Sequence, residues 1–345
     1  MEKLWSLSAI VIPKMEYKGS NGGYFVYNPD THDLCWFKAG SEQSKAEAIA
    51  SQLYSLANVP SAEMQLCSKD NGNACILSRY LFLDKVPQTF DEKKKLNQGF
   101  GMDVLLANWD AVISDNAQMS GEQVYRIDFG GTFNYRAQGA TEPTKFISIP
   151  DEITSMFDPQ YESCNMFATM TREDLINSLE SVCKINDHDM AVMLQKSHLK
   201  MYTNTLLKRK ECLKEMLDII KNKPKDDNVS MFDYLTNIKH EVIKNHITNA
   251  SKASEITDLQ MALNKITNPV IKQKLQEALN IQKAKIEASQ QHTSKQITKD
   301  NLQDLLTNSI YTKNTSGNYV IDSNKQEYKD YMKAIEQHCG KGYSK

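Results

Sequence analysis

Hydrophobic periodicity changes from about two to about 3.6 residues near position 85, and this restricts the chain to an α+β fold with strands and helices segregated. Before that point, "GGYFVYN" and "LCWFKAG" are short aromatic runs separated by the Pro/Asp turn "PDTHD", and "SLSAIVIPKM" reads as an earlier strand. "AEMQLCSKDNGNACILSRYL" reads as a hairpin turning at Asn71-Gly72. Hairpin connections imply an antiparallel sheet. One helix interrupts it, "SEQSKAEAIASQLYSLANVP", capped by Ser41 or Ser44 and stopped by Asn58 and Pro60. Its residues Ala46, Ile49, Ala50, Leu53, Tyr54 and Leu56 fall at helical spacing.

Beyond residue 85, "DEKKKLNQGFGMDVLLANW" carries Leu96, Phe100, Val104 and Leu105 along one stripe. A strand–loop–strand follows between Asn108 and Phe133. "DEITSMF", "TREDLINSLESVCKI" and the run from His188 to Asn222 are then helical. "KPKDDN" at 223–228 has linker composition. The Lys/Gln/Asn-rich remainder is helical by pattern, with Leu259, Leu263, Ile266, Val270 and Ile271 as its apolar series. The expected parts are 1–82 as a small sheet lobe, 83–225 as a helical lobe, and 226–345 as a helical extension.

A net charge of -2 in 345 residues gives no general attraction to nucleic acid, so any anion binding must come from local patches. The seven cysteines are scattered, with no Cys-x-x-Cys pair, which argues against a disulfide framework or zinc site and for a reducing compartment. No run approaches the ~18 apolar residues of a membrane span. The N-terminus lacks a small-residue cleavage site and does not read as a signal peptide.

Several residues suit chemistry on a triphosphate. Strand alternation puts Lys38 on the face of Trp36, and Glu47 on the next helix is the carboxylate available to hold it. Gly19, Gly22 and Gly23, one hairpin earlier, allow backbone N–H groups to approach an anion. "LLANWDAVISDNAQM" carries Asp110, Asp115 and Asn116, and Asp128 ends the strand "QVYRID". Two carboxylates and an amide returned to one another by a hairpin suit a divalent ion at a phosphate. Taken singly, each also fits a plain role, as a strand-end lysine, a solvated helix glutamate or a turn Asp or Asn.

The order glycine-rich turn, strand lysine, helix glutamate, Asp…Asn loop and Asp-Phe-Gly resembles the protein-kinase superfamily. "LLANWD", "YRIDFGG" and "YRAQG" are similar to an outlying bacterial branch with HipA-like, actin-fragmin-kinase-like and phosphoinositide-kinase-like members, including Legionella translocated effector kinases. The resemblance spans roughly residues 15–220. It implies a two-lobed kinase-like fold using ATP with Mg²⁺ or Mn²⁺, and an exported bacterial effector working in a host cell. Lys38 would contact the phosphates with Glu47 holding it, Asp110 would be the catalytic aspartate, and Asn116 and Asp128 would be metal ligands. "ILSRYL" would be the hinge for adenine, with Arg79 and Tyr80 beside it.

The chain departs from that pattern in ways that bear on the acceptor. "NWD" stands for His-Arg-Asp, the Asp110–Asn116 interval is one residue longer than usual so that Asp115 rivals Asn116, and no Ala-Pro-Glu follows. A protein hydroxyl, a lipid, transfer of AMP, or nucleotide binding without turnover all stay open. A basic helix carrying Lys208, Arg209, Lys210 and Lys214 is either a solvated face or a site for an inositol polyphosphate or phosphoinositide headgroup, to which Lys93, Lys94 and Lys95 could add.

Overall fold

The computed structural model describes residues 23–28, 31–39, 42–68, 74–113, 115–136, 140–142, 145–295, 311–313 and 319–321. The expected strand "SLSAIVIPKM", Gly19, Gly22 and the Asn71-Gly72 turn lie outside them. Two compact units divide the chain, one formed by the described residues up to Ala250 with Ser254–Leu279, the other by Ser251–Ala253 and those from Asn280 onward.

The first unit begins with β1 (Gly23–Tyr27) and β2 (Leu34–Ala39), then α1 (Glu42–Leu56), β3 (Met64–Ser68) and β4 (Ala74–Arg79). The strands pair in the order β1-β2-β4-β3, every pair antiparallel as expected. Alternation sends Val26, Cys35, Phe37, Cys67, Cys75 and Leu77 into an apolar cluster on one face. Trp36, Lys38 and Ile76 therefore point to the other. Helix α1 lies against β3 and β4. It stops at Asn58, whose φ of 55° is left-handed, while the Val59 N–H returns 3.0 Å to the Tyr54 carbonyl.

The helical lobe follows with α2 (Phe90–Leu96), whose Thr89 and Glu92 form a capping box, and α3 (Phe100–Leu105). The expected long helix is thus two helices joined by one 3₁₀ turn at Asn97–Gly99. The hairpin β5 (Ala117–Ser120) and β6 (Gln123–Arg126) comes next, then the short α4 (Glu152–Ser155) and α5 (Ser163–Met166). Helices α6 (Arg172–Cys183), α7 (Asp187–Lys196) and α8 (Thr203–Asn222) complete the lobe. Its core is made where α3 meets α6 and α8, through Phe100, Val104, Leu175, Leu179, Leu206 and Leu213. The two-lobed α+β organisation is as expected.

The expected break at 225 falls inside this unit. Helix α9 (Met231–Asn249) packs on α8 and α4, burying Leu235, Ile238, Val242 and Ile243. Helix α10 (Ala253–Asn264) buries Leu259 and Leu263, whereas Val270, at the start of α11 (Pro269–Lys295), is exposed. In the second unit β7 (Tyr311–Lys313) pairs antiparallel with β8 (Tyr319–Ile321).

The basic helix requires a correction. Arg209 points inward and is fully buried, donating to the carbonyls of Leu105 and Ile147 at 2.8 Å, to that of Val104, and to Glu152 Oε2 at 2.7 Å. Lys208 pairs with Asp258 at 3.1 Å and Lys210 with Asp187 at 2.5 Å, and Lys214 alone of the four is exposed. An α-helix turns 100° per residue, so consecutive basic residues cannot share one face, and Arg209 falls on the apolar one. Arg209→Met strands a buried carboxylate and three carbonyls, and a urea melt should show a loss of about 3–5 kcal/mol against under about 0.5 for Lys214→Ala.

Candidate active site

Lys38 leaves the end of β2 toward α1, where its Nζ meets both oxygens of Glu47 at 2.7 and 2.9 Å. The Glu47 side chain is 2% exposed, so its charge has almost no water to stabilise it. Burial raises its pKa, Lys38 opposes that, and nearby Asp128 adds to the rise. The expected pair is present, and a solvated helix glutamate is excluded for Glu47.

Asp128 follows β6, placed by the Ile127 N–H bonding the Asn116 carbonyl at 3.0 Å. Its Oδ1 accepts the Gly130 N–H at 2.8 Å, an Asx turn that fixes the carboxylate and leaves the second oxygen for other partners. One turn before Glu47, Gln43 donates from Nε2 to the Gly130 carbonyl at 2.8 Å. A methyl group at Gly130 would stand 2.9 Å from Gln43 Nε2, 3.1 Å from Asp128 Oδ1 and 3.7 Å from Glu47 Oε1. The Asp-Phe-Gly-Gly turn is therefore the place where sheet-lobe helix and helical lobe meet.

Asp110 arrives from the other side. The chain leaves α3 through Ala107, with φ of 54°, and the Asn108 N–H bonds the Asp103 carbonyl at 2.8 Å. A methyl at Gly131 would lie 2.1 Å from Asp110 Oδ1, so only glycine lets that carboxylate rest against the turn. Burial, with Asp128 second, pushes Asp110 up to about 6. Asn116 donates from Nδ2 to the Asp110 carbonyl at 2.9 Å, which aims its amide oxygen elsewhere. Asp115, the rival ligand, is exposed, and its carbonyl accepts from Gln118 Nε2 at 3.0 Å.

The lobes are pinned behind this turn. Asp103, fully buried, takes Arg126 Nε at 3.1 Å and Nη2 at 2.6 Å, and also accepts the Tyr54 hydroxyl of α1 at 2.6 Å. Asn108 Nδ2 donates to the same hydroxyl at 3.0 Å, and Phe129 packs at a tilt against Tyr54 with centroids 5.0 Å apart.

Of the other expected residues, Gly23 opens β1 opposite Lys38 in register. Arg79 is exposed near Glu63 and Asp33, while Tyr80 follows β4. Sequence reasoning did not single out Gln43, Tyr54 as a polar group, Asp103, Arg126 or Arg136. Gln43 was legible as the residue four before Glu47 on one helix face. Arg136 lies 6.0 Å from the Trp109 ring and donates to the Gly131 and Tyr135 carbonyls, beside Asp110.

A carboxyl whose folded pKa stands above its unfolded value favours the fold below the unfolded pKa, and that contribution is lost as pH rises through about 6. In chelator-treated protein, Asp110→Asn should raise the melting temperature at pH 7.5, with the gain gone by about pH 4. An equal gain at both pH values contradicts this environment for Asp110.

No protein-family model matches the chain, and no curated protein matches it. Among solved structures, the chain is similar to the crystal structure of a Helicobacter pylori proinflammatory kinase, CtkA, with a TM-score of 0.41 and 14% identity, over 67% of this chain and 96% of that one.

Proposed function

We propose that this chain is an ATP- and Mg²⁺-dependent phosphotransferase that moves the γ-phosphoryl group to a hydroxyl, with protein serine or threonine as acceptor. The convergence of Lys38–Glu47, Asp128 and Asp110 on one Asp-Phe-Gly-Gly turn carries this reading. Three carboxylates share a half-buried space with Lys38 and Arg136 as nearby cations. Such an excess of negative charge calls for an added cation.

The donor set fits magnesium. Asp128 and the amide oxygen of Asn116 are hard oxygen donors, and the site supplies no sulfur or imidazole. Two protein ligands suit an ion that keeps waters and phosphate oxygens in its shell. A bound ion would be held by Asp128 and Asn116 and would supply positive charge to the phosphate oxygens. Mn²⁺ has the same ligand preference.

The chain's own residues account for the other parts. Lys38, held by Glu47, points a localised positive charge at phosphate oxygens. Gln43 fixes the Gly130 carbonyl and with it the angle of the Asp128 turn. Asp110 orients the acceptor hydroxyl and receives its proton as the oxygen attacks, a task helped by the burial that raises its proton affinity. The likeness of "LLANWD" and "YRIDFGG" to effector kinases supports an acceptor inside a host cell.

Incubation with ATP labelled at the γ or the α position, with and without host cytosol, tests the reaction class. Label should pass to protein from the γ position only. Lys38→Met and Asp128→Ala should each lower transfer at least about a hundredfold while the thermal melt stays cooperative. Label from the α position would instead show transfer of AMP, and full transfer by Asp128→Ala would remove the assignment.

A further inference from the structure

On the sheet face that carries Lys38, the strip running toward the hinge is aromatic. Trp36 stands two residues before Lys38 on β2, about 7 Å along the strand. Phe25 pairs directly with it across β1, with ring centroids 4.9 Å apart and edge-to-face. Tyr80 meets Phe25 in the same manner at 5.4 Å, and exposed Phe82 extends the row from Tyr80 at 5.1 Å. Phe25, Trp36 and Tyr80 are all half-buried. A side chain at Gly23 would meet the indole at 2.5 Å, so the glycine leaves room for the ring.

We propose that Phe25, Trp36 and Tyr80 form a stacking wall for the base of the phosphate donor, so that ATP and GTP serve almost equally. This rests on the phosphotransferase reading of the site. With phosphates at Lys38, a nucleotide lying along β2 toward the hinge carries its base over Trp36. Hydrogen bonding to the base edge would discriminate strongly between adenine and guanine. The N–H groups of Arg79 and Tyr80, two of the backbone groups of the expected hinge at 76–81, are already given to the carbonyls of Glu63 and Leu34, each at 2.9 Å. Stacking on an aromatic face accepts either purine, because every base has a π-face.

Calorimetric titration of the full chain with Mg²⁺ and four probes (ATP, GTP, CTP and inorganic triphosphate) tests this. ATP and GTP should bind within about threefold of one another, and triphosphate at least about tenfold more weakly. Trp36→Leu should weaken both purine nucleotides about tenfold or more and leave triphosphate unchanged, while Trp36→Phe should keep purine affinity within about threefold. Lys38→Met should weaken all four.

A preference for ATP over GTP beyond about tenfold, or purine affinity unaltered in Trp36→Leu, overturns the stacking wall while leaving the site intact. Should Trp36→Leu fail to fold, the wild-type ratio and the phenylalanine variant still decide. No binding of any probe by the wild type overturns the site and this inference together.

Discussion

The Asp103 carboxylate, closed off from water, is the group on which the rest of this structure depends. A buried charge is tolerated only when its oxygens are satisfied, and here Arg126 takes both while Tyr54 donates a third hydrogen bond. Those three residues belong to β6, α3 and α1. Arg126 lies two positions before Asp128, and Tyr54 lies two helical turns beyond Glu47. Removing any member leaves uncompensated polar groups in a dry interior, so the helix that carries Glu47 cannot slide freely past the strand that presents Asp128.

From that junction the site takes its electrostatic character. Glu47 and Asp110 both have proton affinities raised by burial, and Asp128 adds to each. Such an arrangement disfavours the empty ionised state and favours one in which positive charge is supplied from outside. Stability is held in the Asp103 network and in the fully buried Arg209, which fastens the end of α3 and Glu152 to α8. The carboxylates of the cleft are left poised against one another. The division lets a site of mutually repelling charges rest on a satisfied scaffold.

Much of this was legible in the sequence, because it depended on local spacing. Period-two runs and turn residues marked the strands, and Asn58 with Pro60 marked the end of α1. Alternation placed Lys38 with Trp36, and Glu47 on the following helix was the carboxylate available to hold it. Contacts made over long sequence separations were not legible. Arg209 sits in a run of basic residues and looks solvated until the carbonyls of α3, far earlier in the chain, are brought to it. Asp103 and Arg126 carry no local signal either, because each is buried by the other, 23 positions away in the chain. The linker composition at 223–228 reports a turn, whereas membership of a compact unit depends on what α9 buries.

The proposed chemistry requires Lys38, Asp128 and Asn116 to surround one metal–triphosphate. A crystal grown with Mn²⁺ and a non-hydrolysable ATP analogue, with data collected at the manganese absorption edge, tests it most directly. An anomalous peak should be ligated by the Asp128 carboxylate and the Asn116 amide oxygen, with phosphate oxygens on Lys38 Nζ. A peak held by other side chains, or a nucleotide bound away from the Asp-Phe-Gly-Gly turn, would contradict it.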